Sequence, residues 1–147
     1  MHSNTFVSIA NGFKVRHSGS SDESTIIDGD GIIGLSPKAT VATNATTGSI
    51  ATADFPKNNT NTGSTATMVL TLPAAADVKD KFMRVQLTAA QIVQLVPASG
   101  EKIYLGGSGA ADKYLQIAAV IGNYAELYSD GIDFLVMGYS GVLTKES

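Results

Sequence analysis

Few residues in this sequence are of a type that does chemistry, and their spacing limits them further. Histidine occurs twice, at His2 and His17. A histidine works as a general base when a nucleophile and an orienting acid stand beside it. His17 sits between Arg16 and Ser18 in a polar stretch running to Ser24, which reads as a turn. His2 stands at the terminus, one residue from Met1. Acids gather at Asp22, Glu23, Asp28 and Asp30. A pair of carboxylates cleaves a glycosidic bond only when held across a cleft with one acid in an apolar setting. Nothing in the sequence places these four in a pocket, so a solvated acidic loop is expected. The run Asp28-Gly29-Asp30-Gly31 could offer oxygens to calcium. The twelfth position counted from Asp28 is Ala39, where an EF-hand needs glutamate. The same run, set between β-branched residues, is a strong hairpin signal, because glycine accepts the positive φ of a tight turn.

Other candidates fall to the same test. Gly106-Gly107-Ser108-Gly109 lacks the Lys-Ser/Thr of a phosphate loop, and no helical period follows it. It reads as a linker between strands. Asn44-Ala45-Thr46 and Asn58-Asn59-Thr60 match glycosylation sequons, as expected of any tract rich in Asn and Thr. Tyr114, Tyr124, Tyr128 and Tyr139 could stack on sugar rings, although scattered tyrosines in β proteins more often serve core edges and interfaces. No catalytic, cofactor-binding or metal-ligating residue is therefore expected, no cofactor is implied, and the chain is read as non-enzymatic.

Composition narrows the classes that remain. The chain has 147 residues, the size of one domain, and 44% of them are hydrophobic, enough for a packed core. Aromatics make up 7% and tryptophan is absent, so Val, Ile, Leu and Ala must build that core. Cysteine is absent, which excludes disulfides, zinc-thiolate sites and thiol nucleophiles. A formal net charge of −3 with scattered basic residues argues against nucleic acid. The apolar runs are a few residues long, far from the roughly 20 that span a bilayer, so no membrane role is expected. Residues 1–5 show neither a basic region nor an apolar one, so no secretory leader is expected.

The elements follow from periodicity. Up to residue 66 the chain is rich in Ser, Thr, Asn and Gly, and it is expected to form an extended N-terminal arm with short strands. Candidates are Phe6 to Ile9, Phe13 to Val15, Thr25 to Ile27 and Ile32 to Leu35. The Thr/Ala/Asn tract from Thr40 to Thr67 favours extended backbone but buries little, so it needs a neighbour to hold it. Residues 67–147 are expected to form the compact domain. Met68, Leu70 and Leu72 alternate with Val69 and Thr71, and Pro73 ends that strand. Residues 74–80 suit a turn or one short helical turn. Further strands are expected at Phe82 to Leu87, Ile92 to Val96, Lys102 to Leu105, Tyr114 to Val120, Ala125 to Tyr128 and Phe134 to Met137. Ser129-Asp130-Gly131 marks a hairpin between the last two. No stretch longer than about ten residues keeps a helical period. Short strands at such intervals predict an all-β antiparallel sandwich or barrel-like domain. The apolar faces of Met68 to Leu72 and Phe134 to Met137 are expected in the core or at an interface.

From Asn61 to Thr144 the order of these pieces resembles a module of small virion and fibre proteins of tailed bacteriophages. The likeness is carried by LTLPAAAD (Leu70 to Asp77), KFMRVQLTAAQIVQLVPASGEKI (Lys81 to Ile103), DKYLQIAAV (Asp112 to Val120) and YAELYSDGIDFLVMGYSG (Tyr124 to Gly141). The chain departs from the module at Asp77 to Asp80, where glycine often follows the alanines. It departs again at Phe134 and Val142, where tryptophan is common. The resemblance implies a non-catalytic particle protein: a head decoration (cement) protein, a head fibre or part of a tail fibre, often trimeric. The expected partners are the major capsid protein and further copies of the chain, at the capsid surface of the virion. The alternative that the resemblance leaves open is a fibre or receptor-binding module for host carbohydrate.

Overall fold

The structure is a computed structural model. It describes residues 41–146 and, of the first forty, the strands Phe6–Ile9 (β1), Gly12–Arg16 (β2), Glu23–Asp28 (β3) and Gly31–Ile32 (β4). The chain divides into two compact units, Met1–Ala39 and Thr40–Ser147.

In the first unit β1 to β4 form an antiparallel four-stranded sheet in chain order. Phe6 pairs with Val15 and Phe13 with Ile27. The last ladder closes at Asp28↔Gly31, as the Asp-Gly signal predicts. The expected strands at Phe6 to Ile9, Phe13 to Val15 and Thr25 to Ile27 are present, while of the one expected at Ile32 to Leu35 only Ile32 lies among the described residues.

The second unit is a β-sandwich. Its strands are β5 (Val41–Thr43), β6 (Gly48–Ser49), β7 (Asn58–Thr60), β8 (Met68–Thr71), β9 (Phe82–Gln86), β10 (Val93–Val96), β11 (Ile103–Tyr104), β12 (Leu115–Ile117), β13 (Tyr124–Ser129), β14 (Phe134–Ser140) and β15 (Leu143–Lys145). One sheet runs β15-β12-β10-β8-β6, the other β11-β14-β13-β9-β7-β5. Alternation decides which residues face inward. On β8 Met68 and Leu70 are buried, on β9 Met83 and Val85, on β10 Val93 and Leu95, on β13 Ala125 and Leu127. These inner faces form one core, to which Leu115, Ile117, Ile103 and Phe134 add. Each such Val, Leu, Ile, Met or Phe side chain, fully buried, contributes about 1.5–3 kcal/mol relative to exposure.

The sheets are mixed, not purely antiparallel. The chain crosses to the opposite sheet at each step from β5 to β10, so successive strands of one sheet run the same way. β5 pairs with β7, β7 with β9, β6 with β8 and β8 with β10, all in parallel. β11 also lies parallel to β14. The direction then reverses: β12 is antiparallel to β10 and β13 to β9. The expected β13–β14 hairpin is present and antiparallel.

The compact unit begins at Thr40, well before the composition change at residue 67. The polar tract contributes three strands that lean on the apolar strands β8 and β9. It also sends Ile50 and Phe55 into the core, with the Phe55 ring 5.7 Å from that of Phe134. After Leu72 and Pro73, Ala75–Val78 makes a single 3-10 turn, with Ala75 and Val78 buried. Ser129 Oγ donates to the carbonyl of Ala75 at 2.7 Å and ties this turn to β13.

Candidate functional site: the outer face of the six-stranded sheet

Because Ala125, Leu127 and Ser129 point into the core, Tyr124, Glu126 and Tyr128 face outward from β13. Register lines up their neighbours. Tyr128 lies opposite Phe82 on β9 and Leu135 on β14. Leu135 in turn lies beside Tyr104 on β11. Tyr104, Leu135, Tyr128 and Phe82 therefore form an apolar row across four strands, about 14 Å wide at the usual strand spacing. The Phe82 and Tyr128 rings are 4.9 Å apart, centre to centre, and Phe82 is 58% exposed.

The next row is charged. Glu126 pairs in register with Arg84, and Arg84 lies opposite Asn58 on β7. The Arg84 guanidinium donates to the Glu126 carboxylate from both Nε and Nη2, and it lies 4.5 Å from the centre of the Tyr124 ring. A β-bulge between Glu126 and Leu127 shifts the register against β14, so that Glu126 faces Gly138. A Cβ at Gly138 would stand 2.9 Å from Glu126 Oε2, so glycine makes room for the carboxylate. Above lie Tyr124 and Gln86, whose Oε1 accepts from Asn58 Nδ2 at 3.2 Å.

At the lower edge the Tyr128 hydroxyl donates to Asp80 Oδ1 at 2.9 Å. That hydrogen bond, then burial and the negative charge of Asp80, raises the tyrosine above its ordinary range. In the β13–β14 turn Asp130 Oδ1 accepts from the backbone N–H of Ile132 and Asp133, each at 2.8 Å. The bonds from Asp133 and Ile132 hold its carboxyl below the usual carboxylate range.

The other sheet has a different outer surface. Its corresponding row is Val69, Gln94, Gln116 and Thr144, with Gln94 Nε2 donating to Gln116 Oε1 at 3.0 Å. One row is thus two glutamines and a threonine with one valine, and the other is three rings with one leucine.

The residues singled out from sequence divide accordingly. Tyr124 and Tyr128 come together on the aromatic face. Tyr139 lies near the end of β14, opposite Ala125, and Tyr114 precedes β12 in the other sheet. The four tyrosines do not form one site. Phe82, Arg84, Tyr104 and Leu135 were not singled out, although the alternation of Phe82 to Leu87 already sets Phe82 and Arg84 opposite Met83 and Val85. His2, His17, Asp22 and Asp30 lie outside the described residues; Glu23 and Asp28 are the end residues of β3. Both sequon asparagines use their amide nitrogens within the fold, Asn44 toward Asn59 and Asn58 toward Gln86. The glycine loop folds back on itself: Leu105 N–H donates to the Ser108 carbonyl at 3.0 Å, with Gly106 and Gly107 at positive φ. Beside it an open cleft of about 340 Å³ is lined by Ile103, Ser108, Gly109, Ala110, Lys113, Lys145 and Glu146. Its lysines are engaged: Lys145 donates to the Ser108 carbonyl, and Lys113 lies 3.7 Å from Glu146.

Met68, Leu70 and Leu72 prove to be core residues, whereas on β14 only Phe134 is fully buried and Met137 is exposed. Among the described residues no three His, Asp or Glu side chains converge as a metal site, and no helix is long and apolar enough to cross a membrane. Compared with known proteins, the chain matches no protein-family model and no curated relative.

Proposed function

We propose that this is a non-enzymatic structural protein of a tailed-phage particle, a decoration protein that docks on the major capsid protein and stabilises the head, acting as several copies together. The observation that carries the reading is the asymmetry between the two outer faces. A row in which Phe82 is exposed beside half-buried Tyr128, Leu135 and Tyr104 is a surface that gains by being covered, more so than the Gln-rich row of the other sheet. Aromatic residues flanked by one arginine have the composition of protein interface centres. The order of segments from Leu70 to Gly141, which resembles phage particle modules, is what supports reading the assembly as a phage head. Many copies, each holding weakly, would bind a repeating shell by avidity.

The direct test is reconstitution. Purified protein added to capsids that lack it is expected to bind and to raise the temperature at which they release their contents. Phe82→Ser together with Tyr128→Ala should remain folded and bind at least about tenfold more weakly, a loss of about 1.4 kcal/mol or more. Capsids that gain neither protein nor heat resistance would refute the proposal. The alternative is a fibre module for host carbohydrate. It draws on Tyr124 flanked by Gln86 and Asn58, polar groups beside a ring, as in sugar sites. Binding to host polysaccharide on a glycan array, with no affinity for capsids, would favour it.

A further inference from the structure

Charge is distributed along the sandwich with a sharp polarity. At the end carrying the Asp130–Asp133 turn, the connections 50–57, 72–81, 97–102 and 130–133 each contain at least two charged residues. At the opposite end the connections are 44–47, 61–67, 87–92, 118–123 and 141–142. They contain no Asp, Glu, Lys or Arg at all.

That uncharged end carries a built apolar tip. Val120, Ile121 and Val142 are exposed by 58%, 64% and 62%. The loops that present them are locked together. Asn123, 7% exposed, donates from Nδ2 to the Ala118 carbonyl at 3.0 Å, and Ala118 N–H donates to the Val142 carbonyl at 3.1 Å. Gly122 and Gly141 hold positive φ, and a Cβ on Gly141 would fall 2.1 Å from Asn123 Oδ1. The neighbouring connection is laced in as well, with Gly122 N–H donating to the Leu87 carbonyl at 2.9 Å. A rigid tip loses little conformational entropy when it is covered.

We infer that this end is where copies of the chain meet. An aliphatic centre ringed by Thr, Ala and Asn, with charges excluded, is the anatomy of an interface core with a polar rim. A second copy of the same end is its electrostatic match, because neither surface brings a charge that would be stranded on burial. The mixed-sign end offers no such match, which disfavours head-to-tail stacking. The sandwich's first strand begins at Val41 and its last ends at Lys145, both at the charged end. The inference rests on the proposed function only in expecting copies to associate; it assigns the surface, and it leaves the aromatic sheet face for the shell.

Sedimentation velocity of the full chain tests it, over about 1 µM to about 1 mM protein. An oligomer is expected that persists between about 0.05 and about 1 M NaCl, since no ion pair holds it. Ile121→Asp and Val142→Asp should each weaken association at least about a hundredfold, because each would bury a carboxylate without a partner. Both sites are exposed, so an unchanged melting temperature is expected to show that the fold survives. Phe82→Ser should associate like the parent. A parent that stays monomeric, tip variants that associate normally, an oligomer lost in high salt, or dependence on Phe82 alone would overturn the inference. So would a monomer that floats with phosphatidylcholine vesicles. Capsid binding that fails while a tip-dependent oligomer remains would sink the proposed function and leave this inference standing.

Discussion

Asn61 shows how one polar side chain can hold a loop of this sandwich. It is fully buried, its Oδ1 accepts from Thr88 N–H at 2.8 Å and Ala89 N–H at 2.9 Å, and its Nδ2 donates to the Ala89 carbonyl at 3.0 Å. Asn61→Ala would take the partner from two backbone N–H groups, Thr88 and Ala89, whereas the Ala89 carbonyl keeps the N–H of Gln91. A loss of about 2–4 kcal/mol is expected in chemical denaturation, since each unsatisfied buried group costs about 1–3 kcal/mol and water can reach part of the gap. Asp130 makes the second residue-level case. Its carboxyl is depressed by backbone donors, so the folded state favours the ionised form. The stability it contributes is present above the ordinary carboxylate value of 3.8 and is lost as pH falls through the lower folded value. Asp130→Asn keeps an oxygen acceptor but does not titrate. Melting temperatures of the two proteins should therefore differ near neutral pH and converge in acid; a gap that widens as pH falls would contradict this account.

At the scale of the element, alternation made the apolar strands legible. Met68 to Leu72, Phe82 to Leu87 and Ile92 to Val96 have one face each of large aliphatic residues, and only pleated backbone sends such a set to one side. The β13–β14 turn was legible for the same local reason, since Asp130 and Gly131 build it with their own groups. The strands β5, β6 and β7 lacked a signal of their own. Their residues are Thr, Ala, Asn, Gly and Ser, with a single Val at Val41, and they are held by ladders to β8 and β9, partners that composition does not name. Parallel pairing was hidden as well, because it follows from the path between sheets and not from any one segment. A truncation separates the two boundaries. Removing residues 1–39 should leave a folded sandwich, whereas removing residues 1–66 takes away β5 to β7 with Ile50 and Phe55 and should leave a chain without a cooperative melt. Deleting two large core side chains of this kind costs about 3–5 kcal/mol for Phe and about 2–5 kcal/mol for Ile, comparable to the stability of a small domain. A cooperative melt from the shorter chain would place the boundary back at residue 67.

At the scale of the whole molecule, the surface is more informative than any single group on it. The aromatic row was half visible in the sequence, where Tyr124 and Tyr128 stood out, but its other half depends on cross-strand register that pairs Phe82 with Tyr128 and Tyr104 with Leu135. The uncharged end could be assembled only once five separate connections were known to lie together. Two faces with different physics suit a protein whose work is contact, one covering rings and the other excluding charge. The measurement that bears most directly on this account is imaging of intact particles at a resolution that traces the chain. The account predicts the sandwich seated on the shell through the outer face of its six-stranded sheet, with Phe82 and Tyr128 covered. Particles in which that face looks out to solvent while the Gln94 and Gln116 face meets the shell would contradict it.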